Sequence, residues 1–287
     1  MRTNRSAWLF LAPALLFYGV FFIYPMLFSL GVSFTDWDGL SSHWRFVALK
    51  NYTDAFWQDP ASRLALKNTA IWAIVCLVFP TTLGLALAVL LDRNIPAKSI
   101  LRGIFYLPGI LPLIAVGLIW SWIYNPYLGV LNDLLSVVGL RSFQRGWLGD
   151  PHTALAATLI AAVWQGTGFP MLLYLAGLQS IPRSQFEAAQ LEDASAWDIF
   201  RHVTLPSLRE TTTVVVCLGV LNSVRAFDLI YAMTYGGPGR STQVMATWMY
   251  FNLFQYNHAG IASALAWIIT SISMLVVLPY LRLMMRS

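Results

Sequence analysis

Two opposite charges, Arg225 and Asp228, lie inside an otherwise apolar stretch at 211–234. A charged side chain inside a bilayer costs about 2.5 to 3.5 kcal/mol on insertion scales, so charges at such positions usually serve a function. On a continuous helix the two residues would share one face, where an ion pair would lower that cost. The pair is predicted either to contact a polar solute or to act as a structural clamp, and the sequence leaves both interpretations open.

The same stretch carries polar and aromatic side chains at a helical spacing, which predicts a face turned toward something more polar than lipid. Amide and charged groups can satisfy the hydroxyls of a sugar, and aromatic rings can cover its C–H patches. The apolar stretch before it contains Gly166, Gly168 and Pro170, which permit a distorted helix beside a cavity. The predicted solute-contacting residues are Gln165, Tyr174, Asn222, Ser223, Arg225, Phe227, Asp228 and Tyr231.

No catalytic or metal-binding pattern accompanies these residues. The four histidines lie in different loops without the spacing of a metal site, so no metal is predicted. None of the three lysines follows a glycine, so the sequence has no phosphate-cradling loop, and any ATP must be hydrolysed by another chain. An intramembrane enzyme, the alternative of a different class, would need Ser, His or carboxylate groups that converge at membrane depth.

The composition indicates an all-α integral membrane protein. Of 287 residues, 57% are hydrophobic and 11% are charged, which is too apolar for a single water-soluble core. A helix needs about 20 apolar residues to cross the hydrocarbon region. The first stretch is too long for a cleaved signal, whose apolar core has roughly 7 to 15 residues. A single domain over 1–287 is therefore predicted, with spans near 7–34, 69–91, 103–124, 153–179, 211–234 and 261–281.

The distribution of Lys and Arg predicts the orientation of these spans. With the N-terminus in the cytoplasm, the inner segments carry ten Lys and Arg residues and the longer outer segments carry seven. This bias agrees with the positive-inside rule and places both termini in the cytoplasm. The net charge of +5 is thus a topology signal, and no nucleic-acid surface is predicted.

A polar segment at 184–206 separates the fourth and fifth spans and holds four of the thirteen carboxylates. Ser184 and Glu187 have the spacing of a capping box, which predicts that a helix begins there. Ser195 and Asp198 form a second, weaker pattern of the same kind. Two short helices joined by a corner are predicted, and local sequence alone leaves open whether they dock a partner or serve as an interfacial linker.

This segment resembles the docking segment of the inner-membrane permease subunits of ATP-binding cassette (ABC) sugar importers, the branch with maltose-type and glycerol-3-phosphate permeases. The family consensus reads Glu-Ala-Ala, two residues, Asp-Gly-Ala, and ends with aliphatic-x-Leu-Pro. Similar stretches at 11–26, 103–132, 175–182 and 227–238 extend the resemblance over nearly the whole chain. The residues that match the docking consensus in register are Glu187, Ala188, Ala189, Ala194, Phe200, Val203, Leu205 and Pro206.

The resemblance implies a type I ABC importer permease with six transmembrane helices and a cytoplasmic coupling-helix hairpin, in a bacterial-type inner or plasma membrane. It implies ATP-driven import of a sugar or oligosaccharide by alternating access. Glycerol-3-phosphate or another polar solute is the alternative, because Arg225 could favour a phosphate. The implied partners are a homologous second permease and a dimeric ATPase. That ATPase would carry ATP and Mg, so the chain itself would be neither an enzyme nor a cofactor carrier.

On the outer side, the connector at 35–68 is long enough to form structure, and its six aromatic side chains could bury a small cap. The loops at 126–152 and 235–260 add to the same surface. The resemblance implies that this surface receives an extracytoplasmic solute-binding protein.

For the hairpin, the resemblance implies contact with the ATPase. Phe186 and the small alanines after Glu187 would allow close approach, and Glu187 would make a charge-assisted contact. Trp197 with Phe200 would brace the hairpin against the ends of the membrane helices. The residues implied in coupling are Phe186, Glu187, Ala188, Ala189, Asp193, Ala194, Trp197, Phe200, Leu205 and Pro206.

The chain departs from the family consensus at the corner, where Glu192 and Asp193 replace the Asp-Gly pair. Glycine enters left-handed backbone conformations freely, and Asp does so less readily. We expect the corner to keep its shape at a cost of about 1 kcal/mol. The additional negative charge leads us to expect a basic group on the partner.

Overall fold

The computed structural model describes residues 5–93, 95–224 and 226–285, and at 5–9 and 283–285 it describes the backbone alone. Within these residues the regular structure is helical, apart from one isolated antiparallel bridge between Thr35 and Phe46. The α-helices are α1 Arg5–Tyr18, α2 Tyr24–Val32, α3 Lys50–Thr53, α4 Pro60–Asp92, α5 Lys98–Ile110, α6 Leu113–Ile123, α7 Val130–Val137, α8 Ala154–Gly166, α9 Gly168–Gln179, α10 Arg183–Leu191, α11 Ala196–Ile199, α12 Leu205–Ser207, α13 Arg209–Val224, α14 Asp228–Thr234, α15 Met245–Phe254 and α16 Ala259–Met285.

Among the described residues, four helical segments are continuous, long and apolar enough to cross a membrane. Two further segments qualify only when a bent pair of helices is counted as one span, so the count of six spans stays a prediction. The four continuous segments are Phe10–Val32, Pro60–Asp92, Ala154–Gln179 and Ala259–Arg282, and the bent pairs are Lys98–Ile110 with Leu113–Ile123 and Arg209–Val224 with Asp228–Thr234.

The third predicted span, 103–124, is not one straight helix in the structure. It consists of α5 and α6, which are bent by 102° at Leu111 and Pro112. A proline disfavours helical geometry in the residue before it, and Leu111 is extended, with φ of −73° and ψ of 139°. The chain therefore changes direction inside an apolar stretch that composition alone reads as one span.

In the part of the chain that the structure describes, three π-helical turns lie just before a proline, with one residue between the turn and the proline. In each turn the residue before the proline donates its amide to the carbonyl five residues back, as Leu205 does to Phe200 ahead of Pro206. The wider turn moves the backbone carbonyl that the proline ring would otherwise strike. Pro206 was predicted to limit how far its helix can run unkinked. A π-helical turn precedes this proline, and the helix ends at Ser207. The three turns are Gly19–Ile23, Asp54–Gln58 and Phe200–Thr204.

The described chain divides into two units, and the first contains the residues up to Arg63 together with 248–271. Its connector is held by polar contacts: Asn51 Nδ2 donates to the carbonyls of Ser33 and Thr35 at 2.9 and 2.7 Å. The predicted aromatic cap is wrong, because most of the aromatic side chains of the connector are exposed. The exposed fractions are 59% for Trp44, 71% for Phe46, 38% for Phe56 and 77% for Trp57.

Asp59 caps the N-terminus of α4 within the first unit. Its carboxylate accepts the amides of Ala61 and Ser62 at 3.0 Å, the Ser62 hydroxyl at 2.6 Å and Trp248 Nε1 at 3.1 Å. Burial raises the pKa of Asp59, but these hydrogen bonds to the charged form outweigh it, so the pKa lies below its usual value. The charged cap therefore links the start of α4 to α15.

The second unit contains residues 64–247 and the chain from 272 onward. Two apolar clusters hold it together, one around Val116, Ala161 and Ile230 and the other around Met171 and Leu208. Helices approach closely where glycine faces a neighbour, as is usual in membranes. A Cβ on Gly117 would lie 2.7 Å from the Cβ of Ala232, so α6 and α14 are in direct contact.

Candidate functional site

A cavity of about 630 Å³ lies within the second unit, between helices that are otherwise apolar. Seven helices contribute to its wall: α4, α5, α6, α8, α9, α13 and α14. A cavity of this size falls in the range of small-molecule sites. The lining residues are Trp72, Cys76, Pro80, Thr81, Tyr106, Gly109, Leu113, Ala162, Gln165, Gly166, Phe169, Pro170, Val215, Leu218, Gly219, Asn222, Ser223, Ala226, Phe227, Asp228, Leu229 and Ile230.

The structure brings five of the predicted solute-contacting residues together on this cavity. They supply two amides, a hydroxyl, a carboxylate and one aromatic ring, from α8, α13, α14 and the break between the last two. Ser223 is buried and its hydroxyl donates to the carbonyl of Val220 at 3.1 Å, whereas Asn222 and Asp228 are exposed to the cavity. The five residues are Gln165, Asn222, Ser223, Phe227 and Asp228.

The other three predicted residues are placed differently. Tyr174 is 1% exposed and belongs to the apolar cluster around Met171 and Leu208, so it is a core residue and not a lining residue. Tyr231 is not among the lining residues, but it stacks on Phe227 with ring centroids 5.1 Å apart. Arg225 lies outside the described residues.

The assumption that 211–234 is one continuous helix is wrong. Helix α13 ends at Val224 and α14 begins at Asp228, with Phe227 between them at φ of −138° and ψ of −62°. The shared-face argument for Arg225 and Asp228 assumed that helix, and it stays untested because Arg225 lies outside the described residues. Irregular backbone at membrane depth is tolerated where it lines a cavity, and Ala226 and Phe227 both line this one.

Sequence reasoning missed the contribution of α4 to the wall. Trp72, Cys76 and Thr81 of this helix line the cavity, yet they lie in a stretch that reads as uniformly apolar. Pro80, which also lines the cavity, was the available signal, because a proline within a span often marks an irregular helix beside a cavity or a neighbour.

The polar segment forms two helical pieces joined by a tight corner, as predicted. Helix α10 ends at Leu191, and Asp193 follows in the left-handed region at φ of 56°. The Asp193 amide donates to Gln190 O and the Ala194 amide donates to Ala189 O, both at 3.1 Å, which together make a Schellman motif. Asp193 therefore occupies the position that favours glycine.

Of the two predicted capping boxes, the second is confirmed and the first is wrong. The Ser195 hydroxyl accepts the Asp198 amide at 3.2 Å, and the Asp198 carboxylate accepts the Ser195 amide at 3.3 Å. The hydrogen bond from the Ser195 hydroxyl is the main reason that the pKa of Asp198 lies below its usual value. Helix α10 instead begins at Arg183 after Pro182, without a side-chain cap, so Ser184 already lies inside the helix.

Side-chain packing gives the hairpin an attached face and a free face. Phe186 packs against the cluster that contains Leu178 and Leu208, so Phe186 attaches the hairpin to this cluster of the second unit. Trp197 does not brace the helix ends as predicted: it is 65% exposed and packs on Phe200 at 5.6 Å. Glu187, Ala188 and Leu191 are also exposed, and Leu191 is 87% exposed.

Replacing Asp193 with glycine is expected to stabilise the corner by about 1 kcal/mol, because the left-handed conformation penalises a side chain. That gain corresponds to roughly fivefold slower exchange of the Ala194 amide, measurable by hydrogen exchange on the purified protein. Glu192→Gly is the matched control, because Glu192 has φ of −88° and gains nothing from glycine. Faster exchange in Asp193→Gly than in the wild type would contradict the strain argument.

A cavity lined in part by polar side chains, among helices long enough to cross a bilayer, is the arrangement of a membrane permease. The chain belongs to the family of binding-protein-dependent transport system inner membrane components, whose family model matches residues 80–286. It is an all-α membrane protein and a transport permease of the ABC class.

Relatives match over almost the full chain. A probable ABC transporter permease protein of Pyrococcus horikoshii is 37% identical over 273 residues, which cover 95% of this chain and 93% of the relative. The trehalose/maltose transport system permease protein MalF of Thermococcus litoralis is 33% identical over 270 residues, covering 92% and 88%. A bacterial ABC transporter involved in the import of the acidic polysaccharide alginate shares the fold, with a TM-score of 0.84 and 22% identity over 99% of this chain and 96% of that chain.

Proposed function

We propose that the chain is a transmembrane subunit of an ATP-driven importer that passes a sugar or oligosaccharide through the cavity of the second unit. The observation that carries the proposal is the convergence of Gln165, Asn222 and Ser223 with aromatic side chains in one cavity. Amides and hydroxyls suit the hydroxyls of a sugar, and the rings of Phe169 and Phe227 suit its C–H faces. Relatives named for trehalose and maltose, starch degradation products, and multiple sugars support this solute class.

The remaining parts of the transporter belong to the same proposal. A homologous second permease, a dimeric ATPase that binds ATP and Mg, and an extracytoplasmic binding protein complete the complex. The alginate transporter solved together with its periplasmic protein supports the last of these. The excess of Lys and Arg in the inner segments supports cytoplasmic termini and a cytoplasmic hairpin.

The packing suggests how a hairpin that binds the ATPase would act on the cavity. Phe186 contacts the cluster that contains Leu178, and Leu178 lies on α9. The same helix supplies Phe169 and Pro170 to the cavity wall. A displacement of the hairpin would thus be transmitted to the cavity wall by α9. The cavity wall can bend at the two breaks in its helices, at Leu111 and after Val224.

Asn222→Leu tests the solute pathway. Loss of the amide leaves a solute hydroxyl without a partner, which costs about 1 to 3 kcal/mol, so saccharide uptake is expected to fall about tenfold. Uptake is measured in liposomes that contain the complete transporter and its binding protein, with co-purification of the subunits as the check on assembly. Thr213→Val is the control, because Thr213 lies on the same helix outside the cavity and bonds Arg209 O. Full uptake by Asn222→Leu would overturn the pathway assignment.

A further inference from the structure

Two glycines, Gly109 on α5 and Gly166 at the end of α8, line the cavity without being required by packing. A Cβ on Gly109 would lie 3.5 Å from Gln165 O, and one on Gly166 would lie 3.5 Å from Pro80 Cγ. Both distances are ordinary van der Waals contacts, and neither glycine has a positive φ. A methyl group at either position would therefore be accommodated without moving any backbone.

Beside these glycines, a third glycine, Gly168, differs from them because close helix packing requires it. A Cβ on Gly168 would lie 2.6 Å from Phe105 O and 2.9 Å from Tyr106 Cα, so α9 and α5 touch backbone to backbone at this point. The contact lies two residues after Gly166 and three residues before Gly109. Since it holds the two helices together next to the cavity, it opposes outward movement of the wall when volume is added at 109 or 166.

We propose that Gly109 and Gly166 set the upper size of the solute that the cavity admits. A side chain at either position takes its volume from the cavity, because the adjacent helix contact keeps the wall in place. The polar groups that would bind the solute, at Gln165 and Asn222, remain present in such variants. This inference rests on the proposed sugar pathway and adds to it the residues that decide between short and long saccharides.

The test compares uptake of a radiolabelled panel of glucose, xylose, maltose, trehalose and raffinose by liposomes that contain the complete transporter with its binding protein. In Gly166→Leu, uptake of the largest saccharide that the wild type admits is expected to fall about tenfold or more, while uptake of the smaller ones changes less than about threefold. Gly109→Ala is expected to shift the profile in the same direction by a smaller factor. Because every variant uses the same binding protein, a changed size profile belongs to the permease.

Gly103→Leu is the matched control. Gly103 lies on α5, as Gly109 does, but it is exposed and does not line the cavity, and a Cβ there would have no heavy atom of the described residues within 4 Å. Its size profile is expected to equal that of the wild type. An unchanged profile in both cavity variants, or an equal loss for every saccharide, would overturn the size assignment alone. A wild-type transporter that takes up none of these saccharides would overturn both the proposed sugar pathway and the size assignment.

Discussion

Gly260→Ala is expected to prevent stable folding of the first unit. A Cβ at this position would lie 2.0 Å from Thr35 O and 3.1 Å from Asn51 Nδ2. Neither neighbour is free to move, because Asn51 Nδ2 already bonds the Thr35 carbonyl at 2.7 Å and the Gly260 amide bonds Trp37 O at 2.9 Å. Overpacking against fixed backbone costs about 1 to 3 kcal/mol, and the broken hydrogen bonds add about 1 kcal/mol each. A total loss of about 3 kcal/mol or more is expected in the free energy of unfolding.

The measurement is the thermal unfolding midpoint of the detergent-purified protein, together with its yield from the membrane fraction. Gly31→Ala provides the control within the same unit, because Gly31 lies in α2 and has no heavy atom within 4 Å of a built Cβ. Alanine favours a helix over glycine by about 0.5 to 1 kcal/mol, so this variant is expected to be neutral or slightly stabilised. Equal stability of the two variants would show that the contact at Gly260 is not required.

Apolar runs in the sequence predicted where the long helices lie, because burial in a bilayer needs such runs. They did not predict how far the helices extend into the polar regions. Helix α4, which corresponds to the second predicted span, begins at Pro60 and not near residue 69. Arg63 and Lys67 lower the local hydropathy, but the Asp59 cap starts the helix earlier. The break at Leu111 has a local signal in Pro112, but a proline does not by itself fix the angle of 102° between the two helices.

The residues of the cavity were predicted in part, for a similar reason. Polar side chains at membrane depth are costly, so Gln165, Asn222 and Asp228 could be selected from the sequence, and all three line the cavity. Tyr174 could not be separated from them, because a tyrosine suits a core as well as a pathway. The helix break after Val224 carries no glycine or proline, so no local signal marks it.

Gly168→Ala is expected to damage both the stability and the transport activity of the protein. The added methyl group would meet the backbone of α5 at Phe105 and Tyr106, which cannot rotate away as a flexible side chain would. Moving α5 away from α9 opens a void along their contact, and a loss of about 2 to 3 kcal/mol in the free energy of unfolding is expected. Tyr106 lies at this contact, Phe169 follows Gly168 in the chain, and both line the cavity. Saccharide uptake by the assembled transporter is therefore expected to fall at least about tenfold.

Two alanine variants separate this contact from the general effect of replacing a glycine. Gly166→Ala lies two residues away, where the methyl makes an ordinary contact, and Gly103→Ala lies on the exposed side of α5. Both are expected to unfold at or above the wild-type midpoint. A Gly168→Ala protein as stable as these two would mean that α5 and α9 can separate at little cost. In that case the cavity wall would be movable, and side chains at Gly109 and Gly166 could not limit the size of the solute.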